Sequence, residues 1–457
     1  MYYRLNEKLA LRGWEKLPYA VQETVTGRTE FMGEKEFMAL SFCNGQVDIS
    51  SPVILPIHQE IIHKAAQNRV VIPCEQGEGM DAFQKYRLAP CRFIDKAHWS
   101  VTGKCNLRCR HCFLSAPTAK YGELTTAQCL DIIDQLAEAN IGRVSLTGGE
   151  PLVRRDFLQL VDAILAKRMV IDQIYTNGVL VNLKLLDELK ARRINPEFSI
   201  SFDGLGYHDW MRGVPGSEEK AVRAIKLLRE NGFEVSVESA FTRDSIHTLT
   251  DTVLFLAGLG VSSIKTNPVS DSGNWLNEKG KYNLTVTELY DAYLDFIPKF
   301  KAAGAPMTVM LGGFFDCQKG ANEYTSPARK YNGTEAMLKQ TVCMSARTTM
   351  YISADGTLLP CIPLTGLNLP CEMPNITQTT LVQALTDSNY MTLIDTRLDA
   401  LLAENQECAA CEHRLVCGGG CRAGALSGGE SYLGRDLYTC FFFKHHYADK
   451  IEERWNS

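Results

Sequence analysis

The sequence has no long hydrophobic run. No window approaches the roughly 18 apolar residues of a membrane span, and the N-terminal MYYRLNEKLALRGWEK has no apolar signal-peptide core. A cytoplasmic location and no membrane partner are therefore expected. Charge of one sign does not accumulate either: 48 Lys and Arg stand against 53 Asp and Glu, a net charge of −5 and a pI near 6.0. That balance argues against nucleic acid or anionic lipid as a main partner. Basic runs are as short as KARR, Lys190 to Arg193, and read as a solvated helix face. Disorder is excluded by 45% hydrophobic residues, and 457 residues suffice for about two to four domains.

Cysteine, by contrast, is plentiful: there are sixteen. In a long chain of a reducing compartment that abundance points to metal or redox chemistry, not to a disulfide framework.

The order of elements divides the chain into four. Residues 1–85 carry strand-like YRLNEKLALRGW and YAVQETVTG, helical stretches around Phe37–Phe42 and His58–Ala66, and a return to strand in NRVVIPC, an order that suits a winged-helix-like module. Residues 93–310 alternate strand and amphipathic helix six times, with strands AHWSVTG, RVSLTGG, DQIYTNG, EFSISFDG, EVSVESAFT and SSIKTNPV. Such repetition implies a parallel sheet with right-handed crossovers, here a partial (β/α)6 TIM-like barrel. Residues 311–340, rich in Gly, Asn and Ser, look like a linker. Residues 341–457 are dominated by cysteines and short turns, as expected where metal centres replace part of a core.

Chemistry-bearing residues gather where each barrel strand ends, the face on which parallel barrels do their chemistry. Cys105-x3-Cys109-x2-Cys112 follows the first strand. Three thiolates can hold three corners of a [4Fe-4S] cube and leave one iron open to a ligand; the alternative is a zinc site completed by His111. LTGGEP ends the second strand, where Gly148 and Gly149 permit close backbone approach and Glu150 offers an acceptor for an ammonium group. YTNG and SISFDG close the third and fourth strands, with Asn177, Ser201 and Asp203; Arg212 and Glu238 are further charged candidates. In the C-terminal part, Cys343 and Gly356-x4-Cys361 precede Cys408-x2-Cys411-x5-Cys417-x3-Cys421 and Cys440. Zinc ribbons pair two C-x2-C knuckles, and only one is present. Cys43, Cys74, Cys91 and Cys129 lie in apolar or helical surroundings and read as small buried hydrophobes.

CNLRCRHC resembles the cluster motif of the radical S-adenosylmethionine (SAM) superfamily, whose fold is a partial (β/α)6 barrel. The resemblance implies an enzyme in which the Cys105/Cys109/Cys112 cluster binds SAM through its open iron and cleaves it to a 5′-deoxyadenosyl radical. It implies that Gly148, Gly149 and Glu150 hold the SAM amino group, and that Asn177, Ser201, Asp203, Arg212 and Glu238 lie around the cofactor. The C-terminal array resembles the SPASM extension, which implies two auxiliary [4Fe-4S] clusters and three in all. Cys408, Cys411, Cys417 and Cys440 would hold one. Cys343, Cys361 and Cys421 would hold the other, its fourth position filled by Cys317 or Cys371 or left open. The N-terminal module resembles the peptide-recognition domain of enzymes that mature ribosomally made peptides, or it merely braces the barrel. The implied partners are a precursor peptide with a leader and a flavodoxin- or ferredoxin-like electron donor. The implied reaction is a thioether crosslink; the alternatives are carbon–carbon crosslinking, epimerisation, sulfatase-maturase-like protein modification, or a non-catalytic iron–sulfur electron carrier.

Overall fold

The structure, a computed structural model, describes residues 1–278 and 280–457. Its centre is a ten-stranded sheet. The six strands expected from the alternation are all present: β7 (Lys96–Ser100), β8 (Arg143–Thr147), β9 (Val170–Thr176), β10 (Glu197–Ser201), β11 (Val235–Ser239) and β12 (Ser263–Thr266). They pair in sequence order, all parallel. The crossovers run through α3 (Thr126–Glu138), α4 (Phe157–Ala166), α5 (Leu183–Ala191), α7 (Ser217–Glu230), which follows the short α6 (His208–Arg212), and α8 (Leu249–Gly258); α9 (Val286–Ala302) follows β12. Local sequence fixes these helices. Thr125 with Gln128, and Thr285 with Glu288, close reciprocal capping boxes at the starts of α3 and α9, satisfying amides that would otherwise be orphaned. Cys129, Ile132, Ile133 and Leu136 recur at helical spacing and bury one face of α3.

The sheet is wider than the six-unit expectation. β13 (Thr308–Leu311) adds parallel to β12 and β14 (Phe315–Cys317) folds back antiparallel to β13. At the other edge β15 (Thr349–Ile352) pairs parallel with β7, and β16 (Leu358–Leu359) pairs antiparallel with β15. The segment expected as a linker thus begins inside the sheet, and the cysteine-rich part contributes two strands. These are strands of two to four residues, too short for a period of two to register in the sequence. They form because an open barrel leaves unpaired backbone groups at both edges.

Alternation along the strands separates two faces. Trp99, Leu146, Ile174, Phe198, Ile200, Val237, Ile264 and Leu311 are at most 1% exposed and face the helices. The other face is polar. At its carboxyl end Ser201, Glu238, Lys265, Met310 and Asp316 stand side by side on five successive strands. Two layers below, Tyr351, His98, Ser145, Gln173 and Glu197 do the same. The lumen is therefore polar and not a packed aliphatic core.

The N-terminal residues form a sheet ordered β4-β3-β2-β6, from β2 (Leu9–Trp14), β3 (Leu17–Glu23), β4 (Thr29–Phe31) and β6 (Arg87–Ala89), beside a pair of β1 (Tyr2–Leu5) and β5 (Val71–Cys74), with helices α1 (Glu34–Phe42) and α2 (Pro56–Gln67). The first strand-like stretch is broken where the Asn6 side chain caps a turn at Lys8. Tyr3, Leu5, Leu11, Phe37, Leu40 and Ile62 make a small core of their own. Trp14 and Ala20, however, belong to the core of the barrel. Trp14 Nε1 donates to Ala139 O (3.0 Å), Gln22 to Asn140 O (3.1 Å) and Arg87 to Asn140 Oδ1 (2.6 Å), so the module is fastened to the end of α3. Among the described residues no helix is long and apolar enough to cross a membrane.

Candidate functional site

The strand-end loops converge on the segment Cys105–Cys112. The turn after β8 lies directly on it: Gly149 N donates to Thr102 O and Glu150 N to Lys104 O, both 2.8 Å. A Cβ at Gly148 or Gly149 would run into the backbone of Thr102 or Lys104. The glycine pair is thus required by the chain's own cysteine loop. Glu150 is 0% exposed; Oε1 accepts from Thr176 Oγ1 (2.7 Å) and Leu152 N (3.2 Å), and Oε2 from Asn177 N (2.8 Å). Its carboxylate clamps the ends of β8 and β9 together. Burial pushes it up to about 7 against the pull of those donors. Asn177 then reaches the cysteine loop, donating to Asn106 Oδ1 at 2.8 Å and lying 3.9 Å from Cys105 Sγ.

Asp203 and Arg212 form the other buttress. Arg212 Nε lies 2.6 Å from Asp203 Oδ2 and Nη2 donates to Oδ1 (3.0 Å), while Nη1 faces Cys109 Sγ at 3.7 Å. Burial works against the Asp203 charge, yet Arg212, His111 and His208 together hold its carboxyl below the usual range. Backbone bonds from Arg108 N to Arg212 O and Arg110 N to Met211 O tie the loop to α6. Asn274 closes it from beyond β12: its amide N–H bonds Cys112 O (2.9 Å) and its side chain Cys109 O (3.1 Å). Nothing in the sequence marks Asn274, since it acts through a loop far along the chain. Ser201 and Glu238 are placed differently, on the lumen row. There burial pushes Glu238 up while Lys265 opposes, and the Lys265 ammonium has no hydrogen-bond or ion-pair partner among the described residues.

The C-terminal thiols fall into two groups. Cys408 interacts with Cys440 and Cys411, Cys417 with Cys408, and Cys440 with Cys411. Cys361 feels the charges of Cys421 and Cys343, and Cys421 that of Cys343, while Lys330 feels Cys343, Cys421 and Cys417 alike. The parting of Cys417 from Cys421 is done by Gly418, Gly419 and Gly420, all left-handed, at φ 60°, 77° and 73°. Asp436 secures the crossing: Oδ2 accepts from Cys421 N (2.9 Å), and Oδ1 caps the helix Leu437–Lys444 that carries Cys440. Lys330, which sequence reasoning passed over inside the glycine-rich segment, donates to Val342 O (2.5 Å) and Gly420 O (3.0 Å), the carbonyls just before Cys343 and Cys421. Cys317 Sγ donates to Gln318 O and Glu323 O, and burial raises the Cys371 thiol. Cys43, Cys91 and Cys129 are 0% exposed within apolar cores.

The donor sets suit iron–sulfur clusters. Burial pushes the thiols up, Cys105 and Cys417 to about 12, so ionising them together takes the positive charge of bound metal.

Comparison with known proteins identifies the two cysteine-bearing parts of the chain. Residues 99–256 match the radical SAM superfamily and residues 343–412 an iron–sulfur cluster-binding domain, SPASM. An AdoMet-dependent heme synthase from Oleidesulfovibrio alaskensis is 28% identical over 76% of this chain and 86% of that one. The mycofactocin maturase MftC of Mycobacterium ulcerans is 38% identical over 34% of this chain and 42% of its own length. Streptococcus suis SuiB bound to precursor peptide SuiA shares the fold over 96% of this chain and 99% of that one, with a TM-score of 0.66 at 17% identity.

Proposed function

This chain is a radical SAM enzyme with a SPASM iron–sulfur extension, and from that premise we propose that it modifies a ribosomally made precursor peptide by forming a thioether between a cysteine sulfur and a carbon of the peptide. With SAM and a cluster bound at Cys105, Cys109 and Cys112, the site supplies a 5′-deoxyadenosyl radical able to take hydrogen from an unactivated C–H bond. The observation that carries the reading is the polar lumen between two thiol groups. Lys265, on its upper row, carries a charge felt by Glu238 and, more weakly, by Cys361, which supports a substrate chain lying in that lumen. Peptide as substrate is supported by the full-length likeness to a protein bound to its precursor peptide and by the N-terminal module, whose short β4 lies at a sheet edge where a leader could add as a strand.

In this reading the residues divide the work. Asp203, Arg212, Asn177 and Asn274 fix the cysteine loop, and the Gly148–Glu150 turn sets its distance from β9. Ser201, Glu238 and Lys265 orient the substrate. Cys408, Cys411, Cys417 and Cys440 hold one auxiliary cluster, and Cys343, Cys361 and Cys421 a second with one position for another ligand. A flavodoxin- or ferredoxin-like protein supplies electrons, in the cytoplasm.

Anaerobically reconstituted protein is expected to hold about twelve irons and, with SAM and reductant, to release 5′-deoxyadenosine; Cys105→Ala should release none. Given the matching peptide, the product should lose two hydrogens and one free thiol. A peptide without its leader should bind about tenfold more weakly, roughly 1.4 kcal/mol, by fluorescence anisotropy. The likeness to heme synthases favours a tetrapyrrole as the second reading; equal binding of leader-bearing and leaderless peptide, with turnover of a heme precursor, would select it.

A further inference from the structure

Three buried phenols, Tyr351, Tyr390 and Tyr432, feel the charges of the group Cys343, Cys361 and Cys421, and only one of their hydroxyls is unspent. Tyr351 Oη shares a hydrogen bond with Ser100 Oγ at 2.7 Å. Tyr432 Oη donates to Leu393 O at 3.3 Å. Tyr390, on the helix Asn389–Ile394, is 0% exposed, and its Oη has no hydrogen-bond partner among the described residues. A phenol left so costs about 1–3 kcal/mol, and buried polar groups without a partner are uncommon enough to call for an explanation.

The groups around it narrow the choice. After burial itself, the influences on the Tyr390 phenol are Cys361 and Cys343, then Arg347. Arg347 is already committed to Asp395. Tyr432, the remaining influence, has its own hydroxyl on Leu393 O, which leaves the thiols Cys361 and Cys343 as the groups toward which the hydroxyl is free to act.

We propose that Tyr390 Oη donates a hydrogen bond to a sulfur of the iron–sulfur cluster held by Cys343, Cys361 and Cys421, and so raises that cluster's reduction potential. The proposal rests on the reading of those three cysteines as ligands. A donor aimed at a cluster sulfur stabilises the more negative, reduced form, and hydrogen bonds to the sulfurs are among the features that set such potentials. Tyr390 is on this account a tuning residue that acts through the cluster.

The test compares reconstituted wild type, Tyr390→Phe and Tyr432→Phe by iron content and by redox titration followed by electron paramagnetic resonance. All three should hold about twelve irons. In Tyr390→Phe one midpoint should move to more negative potential and the others stay. A tenfold fall in the reduced-to-oxidised ratio at the original midpoint corresponds to about 59 mV for one electron. Tyr432→Phe should shift nothing, its hydroxyl being bound to a carbonyl. Full iron with unchanged midpoints in Tyr390→Phe overturns the proposal alone, and so does a variant that loses one cluster's iron, which would make Tyr390 a ligand. Wild type that fills with only about four irons overturns the ligand reading, and the proposal with it.

Discussion

Gly418→Ala is expected to leave the protein with about four irons in place of about twelve, because in the proposed reading both auxiliary clusters would depend on one reversal of the chain. Cys417 and Cys421 belong to different thiol groups although three residues separate them. The reversal needs φ of 60° at position 418, and an added Cβ there would strike the Tyr331 ring. Non-glycine residues enter that region at a cost of roughly 1–2 kcal/mol each, and the clash adds to it. Tyr331 cannot easily give way, since its Oη donates to Thr341 O at 2.5 Å. Iron quantification after anaerobic reconstitution reads the effect directly. The cluster at Cys105, Cys109 and Cys112 lies outside the reversal, so its spectroscopic signature should persist. Full iron content in Gly418→Ala would show that the two groups do not depend on this turn.

Asp203→Asn should destabilise the fold by about 3–5 kcal/mol, the usual cost of removing one partner of a buried ion pair. The pair is out of reach of water: Asp203 is 1% and Arg212 9% exposed. Without the carboxylate the guanidinium remains buried, facing Cys109 Sγ, with no opposite charge. The backbone bonds from the cysteine loop to α6 would carry the disturbance into the loop. Two readouts should move together: a lower denaturation midpoint, and loss of the iron held by Cys105, Cys109 and Cys112. An unchanged midpoint with normal 5′-deoxyadenosine release would mean that Arg212 finds compensation elsewhere.

The sequence made the barrel legible because its strands and helices repeat with their own periods, and each strand ends on polar or glycine residues. It made the cysteine loop at Cys105–Cys112 legible because that spacing is local, whereas Cys343 and Cys421, far apart in the chain, carry no such local signal. The short edge strands β13 to β16 escaped notice since two to four residues cannot display an alternation. The roles of Glu150 and Asp203 were also hidden. In the sequence each is a carboxylate at a strand end; in the fold each also accepts from donors that lie 26 and 9 residues away, a structural role that no local pattern announces. Lys330 and Asn274 work by holding backbone carbonyls, a function open to any donor of suitable reach, so neither leaves a mark in the residue pattern.

Trp14 bears on how such an enzyme could be re-targeted. Its indole lies in the core of the barrel while its strand belongs to the N-terminal sheet. Exchanging that sheet for one from another enzyme, to redirect it to a new peptide, would therefore exchange part of the barrel's interior as well. A workable chimera has to carry a matching end of α3, around Ala139 and Asn140, with the transplanted sheet. A substitution in that sheet which moves Trp14 is in the same way felt by the barrel, so the two surfaces are bound to drift as one.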